Sequence, residues 1–202
     1  MPSYNCEAIN LRIIKFSESD KLISLFTKQK GKVSAIAKSA FKPSSKYGGR
    51  LEALNYNHYF LAEGKNIDII SQVETIENFY KIKDKEGSLL AGLYMAKILY
   101  HFLEEKIPNE DLFNLFLNCL RMLKNGKDPS SVTRVFNILF AKYEGFLPIE
   151  KFSESIKSRI SQIEDFESNF AFSRDEIENI DFILLPKIIE HVGKDISLWK
   201  NV

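Results

Sequence analysis

The sequence predicts an α+β protein, with an N-terminal five-stranded barrel followed by an all-helical C-terminal domain, from three observations. Strand-like alternation fills the first 80 residues, the apolar spacing changes to three and four after Phe79-Tyr80, and cations crowd the front of the chain while the back is acidic. The expected domains are residues 1–80, a nucleic-acid-binding barrel, and 81–202, a helical domain.

Five apolar or β-branched runs supply the strands: Ala8 to Ile14, Leu22 to Thr27, Lys32 to Lys38, Leu54 to Ala62 and Ile67 to Glu74. Turn-forming residues separate them at Ser17-Glu18-Ser19-Asp20, Lys30-Gly31, Gly48-Gly49 and Glu63-Gly64-Lys65-Asn66. Five short strands in so short a stretch suit a barrel closed over one core. That is the OB-fold pattern, whose strand face and loops receive oligonucleotides.

Beyond Tyr80, Leu89, Leu93, Ala96, Tyr100 and Leu103 recur at helical spacing, as do residues from Leu112 to Leu123 and from Val132 to Tyr143. Asn109 is placed to cap the second of these helices, and Asp128 before Pro129 opens the third with proline at its first position. Gly126 and Gly145 are natural stops. Two more helices are expected around Lys151 to Phe166 and Asp175 to His191, with Trp199 either packing back or docking a partner.

Charge is the most informative property. The whole chain carries 28 basic and 27 acidic residues, yet between Arg12 and Arg50 ten cations face only Glu18 and Asp20. Those cations are Arg12, Lys15, Lys21, Lys28, Lys30, Lys32, Lys38, Lys42, Lys46 and Arg50, interleaved with apolar alternation that makes a folded basic surface rather than a disordered tail. A folded basic sheet fits a polyanion such as nucleic acid. Within the stretch Lys38 to Arg50, Phe41 and Tyr47 are each either a platform for an unpaired base or a plug for the barrel.

Other classes find little support. The N-terminus lacks the apolar core of a signal peptide, and the most apolar helix, Leu89 to Leu103, is interrupted by Lys97 and His101 and falls short of the roughly 20 residues of a membrane span. A cytosolic protein with no membrane partner is expected. His58, His101 and His191 lie in separate elements, and Cys6 and Cys119 are far apart, so no metal or other cofactor is expected and the thiols are read as buried and unpaired. No nucleophile sits beside a base, and Gly48-Gly49 lacks the spacing of a phosphate loop, so no enzyme activity is expected.

The residues also resemble a known family. Glu7-Ala8-Ile9, the run Glu18-Ser19-Asp20-Lys21-Leu22-Ile23-Ser24-Leu25-Phe26-Thr27, Gly31-Lys32-Val33 and Ala37-Lys38 are similar to the N-terminal signature of the bacterial recombination mediator RecO. Asp128-Pro129, Val135-Phe136, Leu139 and Tyr143-Glu144-Gly145-Phe146-Leu147-Pro148 resemble that family's helix and the turn that ends it. The resemblance covers most of residues 5 to 150.

It implies an OB-fold that binds single- and double-stranded DNA, anneals complementary strands, and works with RecR to load RecA onto strands coated by SSB, without enzymatic turnover. Its basic stretch after the Ala-Lys strand falls on Lys38, Lys42, Lys46 and Arg50. Ser39 stands where the family usually has glycine and Phe41 where an arginine is common. Many members carry a four-cysteine zinc site after the proline turn, whereas no cysteine follows Cys119 here, so helix packing alone is expected to hold the C-terminal part. Two other readings share the basic front: an RNA-binding OB module, and a scaffold whose basic face receives an acidic peptide.

Overall fold

The computed structural model describes residues 2–163, 166 and 171–193. Trp199 and residues 164 and 165 of the expected fourth helix lie outside the described residues. The chain divides into two compact units, one of Met1–Phe79 with Leu103–Phe113, the other of Tyr80–Phe102 with Asn114–Val202.

The first unit is a closed barrel of β1 (Ser3–Lys15), β2 (Lys21–Thr27), β3 (Gly31–Ala37), β4 (Tyr56–Ala62) and β5 (Asp68–Glu77), in the order β1-β2-β3-β5-β4. Period-two alternation sends Ile23 and Leu25 of β2, and Val33, Ala35 and Ala37 of β3, into one core with Cys6, Ala8, Tyr59, Leu61 and Ile70. At 13 residues β1 is long enough to pair with β4 through its first half and β2 through its second. A register shift between Asn10 and Arg12 gives it the bend that closure requires.

The weak seam of the barrel is the parallel joint of β3 with β5, which pairs only Ala35 with Asp68 and Ile36 with Ile69. Two segments outside the strands complete it. Beside the start of β3, the Lys106 N–H donates to the Lys32 carbonyl at 2.9 Å, and Gly31 at φ +67° approaches Ile107 so closely that a Cβ there would lie 1.9 Å from the Ile107 carbonyl oxygen. Phe113 caps the same outer face, its ring edge-on to Phe26 at 5.3 Å and to Tyr56 at 5.9 Å. Beyond the end of β3, the strap of residues 38–55 returns across the barrel and buries Tyr47 and Leu51 in the core.

Buried amides hold the returning strap. Asn10 Nδ2 donates to the carbonyls of Arg50 at 3.1 Å and Glu52 at 2.8 Å, Asn57 Nδ2 donates to that of Arg50 at 2.9 Å, and Asn55 Nδ2 to that of Gly49 at 2.9 Å. Tyr59 in turn donates its hydroxyl to Asn10 Oδ1 at 2.6 Å. These contacts satisfy strap carbonyls that have no ladder partner.

The second unit contains α1 (Tyr80–Lys83), α2 (Glu86–Phe102), α3 (Glu110–Lys124, whose first turn belongs to the barrel unit), α4 (Pro129–Tyr143), α5 (Glu154–Ile163) and α6 (Arg174–Val192). The caps are those expected: Asn109 Oδ1 accepts the Leu112 N–H at 3.0 Å, and Asp128 Oδ2 accepts that of Ser131 at 2.8 Å. The short α1 has no counterpart in the sequence reading. Helix α4 is central, with every residue from Ser131 to Ala141 buried. Tyr94 donates to Asn137 Oδ1 at 3.1 Å, and Asp181 receives Arg134 Nε at 3.0 Å and Nη2 at 2.5 Å.

Candidate nucleic-acid interface

The basic stretch does not form one continuous platform. Lys21 pairs with Ala37 and Thr27 with Gly31, so the β2–β3 hairpin carries Lys21 and Lys38 at one end of the barrel and Lys28, Lys30 and Lys32 at the other. About 20 Å of strand separates the two ends.

At the first end, Lys15 lies directly opposite Lys21 in the ladder. Like charges so placed cost stability and favour a bound anion. The β1–β2 turn organises the rest: Ser17 Oγ accepts the Asp20 N–H at 3.1 Å, and Asp20 Oδ1 accepts the Ser39 N–H at 2.8 Å. Ser39 adopts φ +57°, the left-handed conformation that favours glycine. The Phe41 N–H then donates to the Ser19 carbonyl at 3.0 Å, and the Lys42 N–H to that of Ser39 at 3.2 Å. The start of the strap is thereby pinned to the turn. Phe41 itself stays 48% exposed, with Lys21 Nζ 4.8 Å from its ring centroid. Lys15, Lys38 and Lys42 are exposed around it, Lys38 Nζ lying 3.5 Å from Asp20 Oδ2.

Farther along the strap Tyr47 takes the second of its two readings. Only 2% of the residue is exposed, and its hydroxyl donates to the Ile70 carbonyl at 3.0 Å, so it plugs the core and has no face for a base. Burial first, and the nearby Asp20 charge second, push its hydroxyl pKa upward. On either side, Lys46 Nζ donates to the Ser71 carbonyl at 2.6 Å, and Arg50 Nη1 to the carbonyls of Lys46 and Tyr47 at 3.3 Å. Both cations border an open groove of about 410 Å³ against Ser71, Gln72 and Glu74 of β5.

At the opposite end the cations face carboxylates. Lys28 Nζ faces Glu110 at 3.5 Å, Lys30 Nζ faces Glu63 at 3.8 Å, and Lys32 Nζ faces Glu105 at 3.8 Å. Lys30 also lies over the Tyr4 ring at 3.6 Å, and the Lys32 side chain is only 13% exposed. Arg12 stands exposed beside the β1 bulge, opposite Ser24.

Sequence reasoning missed the clamp by Asp20, the carbonyl-binding amides of Asn10, Asn55 and Asn57, and the exposed Ile14 and Phe16 beside the cationic end. An apolar residue directly before the Ser-Glu-Ser-Asp turn was the available signal for Phe16. Among the described residues no group of three His, Cys, Asp or Glu side chains could hold a metal ion. Cys6 and Cys119 are free buried thiols; burial raises both, Cys6 to about 12. No described helix is long and apolar enough to cross a membrane.

Fold and site together define an α+β protein whose N-terminal barrel bears a cationic, aromatic-tipped end. The family models for the N-terminal and C-terminal parts of recombination protein O match residues 1–79 and 87–174, and the chain belongs to the RecO family. It is 31% identical over 163 residues to the DNA repair protein RecO of Caldicellulosiruptor saccharolyticus, covering 81% of this chain and 66% of that one. With the DNA repair protein RecO of Dehalococcoides mccartyi it shares 35% identity over 145 residues, covering 72% of this chain and 57% of that one. The chain thus spans about three-fifths of the length of these relatives.

Proposed function

We propose that this chain is a DNA-binding recombination mediator of DNA repair, acting in the cytoplasm at the nucleoid. It binds and anneals single strands and, with RecR, helps RecA onto strands coated by SSB. The observation that carries the reading is the cluster of Lys15, Lys21, Lys38 and Lys42 around exposed Phe41 on a strap that hydrogen bonds hold in place. Family membership supports the choice of DNA repair among the uses of such a surface.

Annealing requires charge and geometry but no covalent chemistry. Two strands repel through their phosphates, and ammonium groups beneath them offset part of that repulsion while base edges remain free to pair. The protein therefore acts by raising local strand concentration and needs no turnover.

The test is annealing of complementary strands pre-coated with SSB, followed with and without RecR. Acceleration by the chain, and RecA loading that depends on both it and RecR, are the expected results. Annealing no faster than with SSB alone would refute the reading.

A further inference from the structure

Building on the DNA-binding reading, we propose that Phe41 makes the Lys21 end of the barrel selective for unpaired strands, stacking one unpaired base while Lys15, Lys21, Lys38 and Lys42 hold the adjoining phosphates.

The argument begins with exposure that the fold does not need. Phe41 is 48% exposed, Phe16 49% and Ile14 40%, and hydrogen bonds from the Phe16 N–H to the Asp20 carbonyl and from the Phe41 N–H to the Ser19 carbonyl bring both rings to the β1–β2 turn. Phe41 in particular stands half-exposed beside an ammonium group, where its ring is open to a ligand. Because the Phe41 backbone is fixed at Ser19, and its neighbours Ser39 and Lys42 are hydrogen bonded as well, little freedom is lost when the ring takes a ligand.

The surroundings of the ring choose the ligand. Lys21 holds its ammonium over the ring at 4.8 Å, about half of the side chain remains exposed for a base, and Lys15 lies across the ladder from Lys21. Of the two acids in this stretch, Asp20 is already committed to Ser39 and Lys38. An apolar partner would bury these ammonium groups without counterions, at a cost in desolvation. A nucleotide brings an aromatic face and an anion together. In a duplex each base face is already covered by its neighbours, so only an unpaired strand can use the ring, while both forms can use the lysines.

The experiment compares the wild-type chain with Phe41→Ala and Phe41→Trp by fluorescence anisotropy on three probes: a single-stranded oligothymidylate, a duplex of equal length, and an abasic single strand. Phe41→Ala should weaken oligothymidylate binding about tenfold and change duplex and abasic binding by less than about twofold, and Phe41→Trp should restore the loss. Matching thermal melts would confirm that the half-exposed substitution leaves the barrel intact. An equal loss on all three probes, or no loss on oligothymidylate, overturns the proposal while leaving DNA binding in place. Failure of the wild-type chain to bind any probe overturns both.

Discussion

Asp20 accepts the Ser39 N–H through Oδ1 at 2.8 Å and faces the Lys38 ammonium through Oδ2 at 3.5 Å, so one turn carboxylate fastens the strap that carries Phe41 and Lys42. The Ser39 N–H, ahead of the Ser19 hydroxyl and the Lys38 charge, holds the Asp20 carboxyl below its ordinary 3.8. The folded protein thus favours the ionised form, and the unfolded chain takes up the proton first as pH falls. The stabilisation is complete above 3.8 and disappears as pH drops through the lowered folded-state value. Asp20→Asn should therefore melt below wild type at neutral pH, and the gap should close in acid. Melting temperatures measured across the acid range check this, and a gap that stays constant would assign the stabilisation elsewhere.

Gly31 tests the seam between β3 and the segment around Ile107. An added methyl group would meet the Ile107 carbonyl oxygen at 1.9 Å in a backbone already at φ +67°. Gly31→Ala should cost about 2–4 kcal/mol in urea unfolding, the left-handed penalty and the overlap together. Gly126 at φ +81° has nothing within 4 Å, so Gly126→Ala should show only the conformational part, about 1–2 kcal/mol. Equal losses would mean that the approach to Ile107 contributes nothing.

The difference between those glycines also shows what a sequence can reveal. Ile23 and Leu25, or Val33, Ala35 and Ala37, reach the core because strand geometry is local, and Asn109 and Asp128 cap their helices for the same reason. Hence the five strands, the five longer helices and the α+β class were legible before the fold was known. Pairings across long separations were not. Lys28, Lys30 and Lys32 are engaged by Glu110, Glu63 and Glu105, and no spacing rule connects such partners. Tyr47 and Phe41 lie in one loop with similar neighbours, yet one is anchored to Ile70 in the core and the other to Ser19 at the rim. Only the path of the strap separates them.

Tyr47 therefore makes a stability prediction rather than a binding one. Tyr47→Phe removes the donor to the Ile70 carbonyl and should cost about 1–2 kcal/mol, whereas Tyr47→Ala opens a cavity in the barrel and should cost about 3–5 kcal/mol. Oligonucleotide affinity of the folded Phe variant should equal that of wild type. A selective loss of DNA binding with unchanged stability would restore Tyr47 to the interface.

The two ends of the β2–β3 hairpin can be told apart by salt. Each single-strand phosphate neutralised contributes about −0.7 to the slope of log affinity against log salt, so four contacts from Lys15, Lys21, Lys38 and Lys42 should supply about −3. Replacing those four with alanine should remove most of the slope and weaken single-strand binding at low salt by well over tenfold, roughly the effect of losing several phosphate contacts. Replacing Lys28, Lys30 and Lys32 should change the slope by less than about one, since each already has a carboxylate within 4 Å and little net charge to offer. Stability should respond in the reverse sense. The first set relieves the repulsion between Lys15 and Lys21, although it gives up the exposed Lys38–Asp20 pair, while the second breaks three ion pairs. Binding titrations of the two variants over a range of potassium chloride decide the matter, and a larger slope change from the Lys28 set would move the interface to the other end of the barrel.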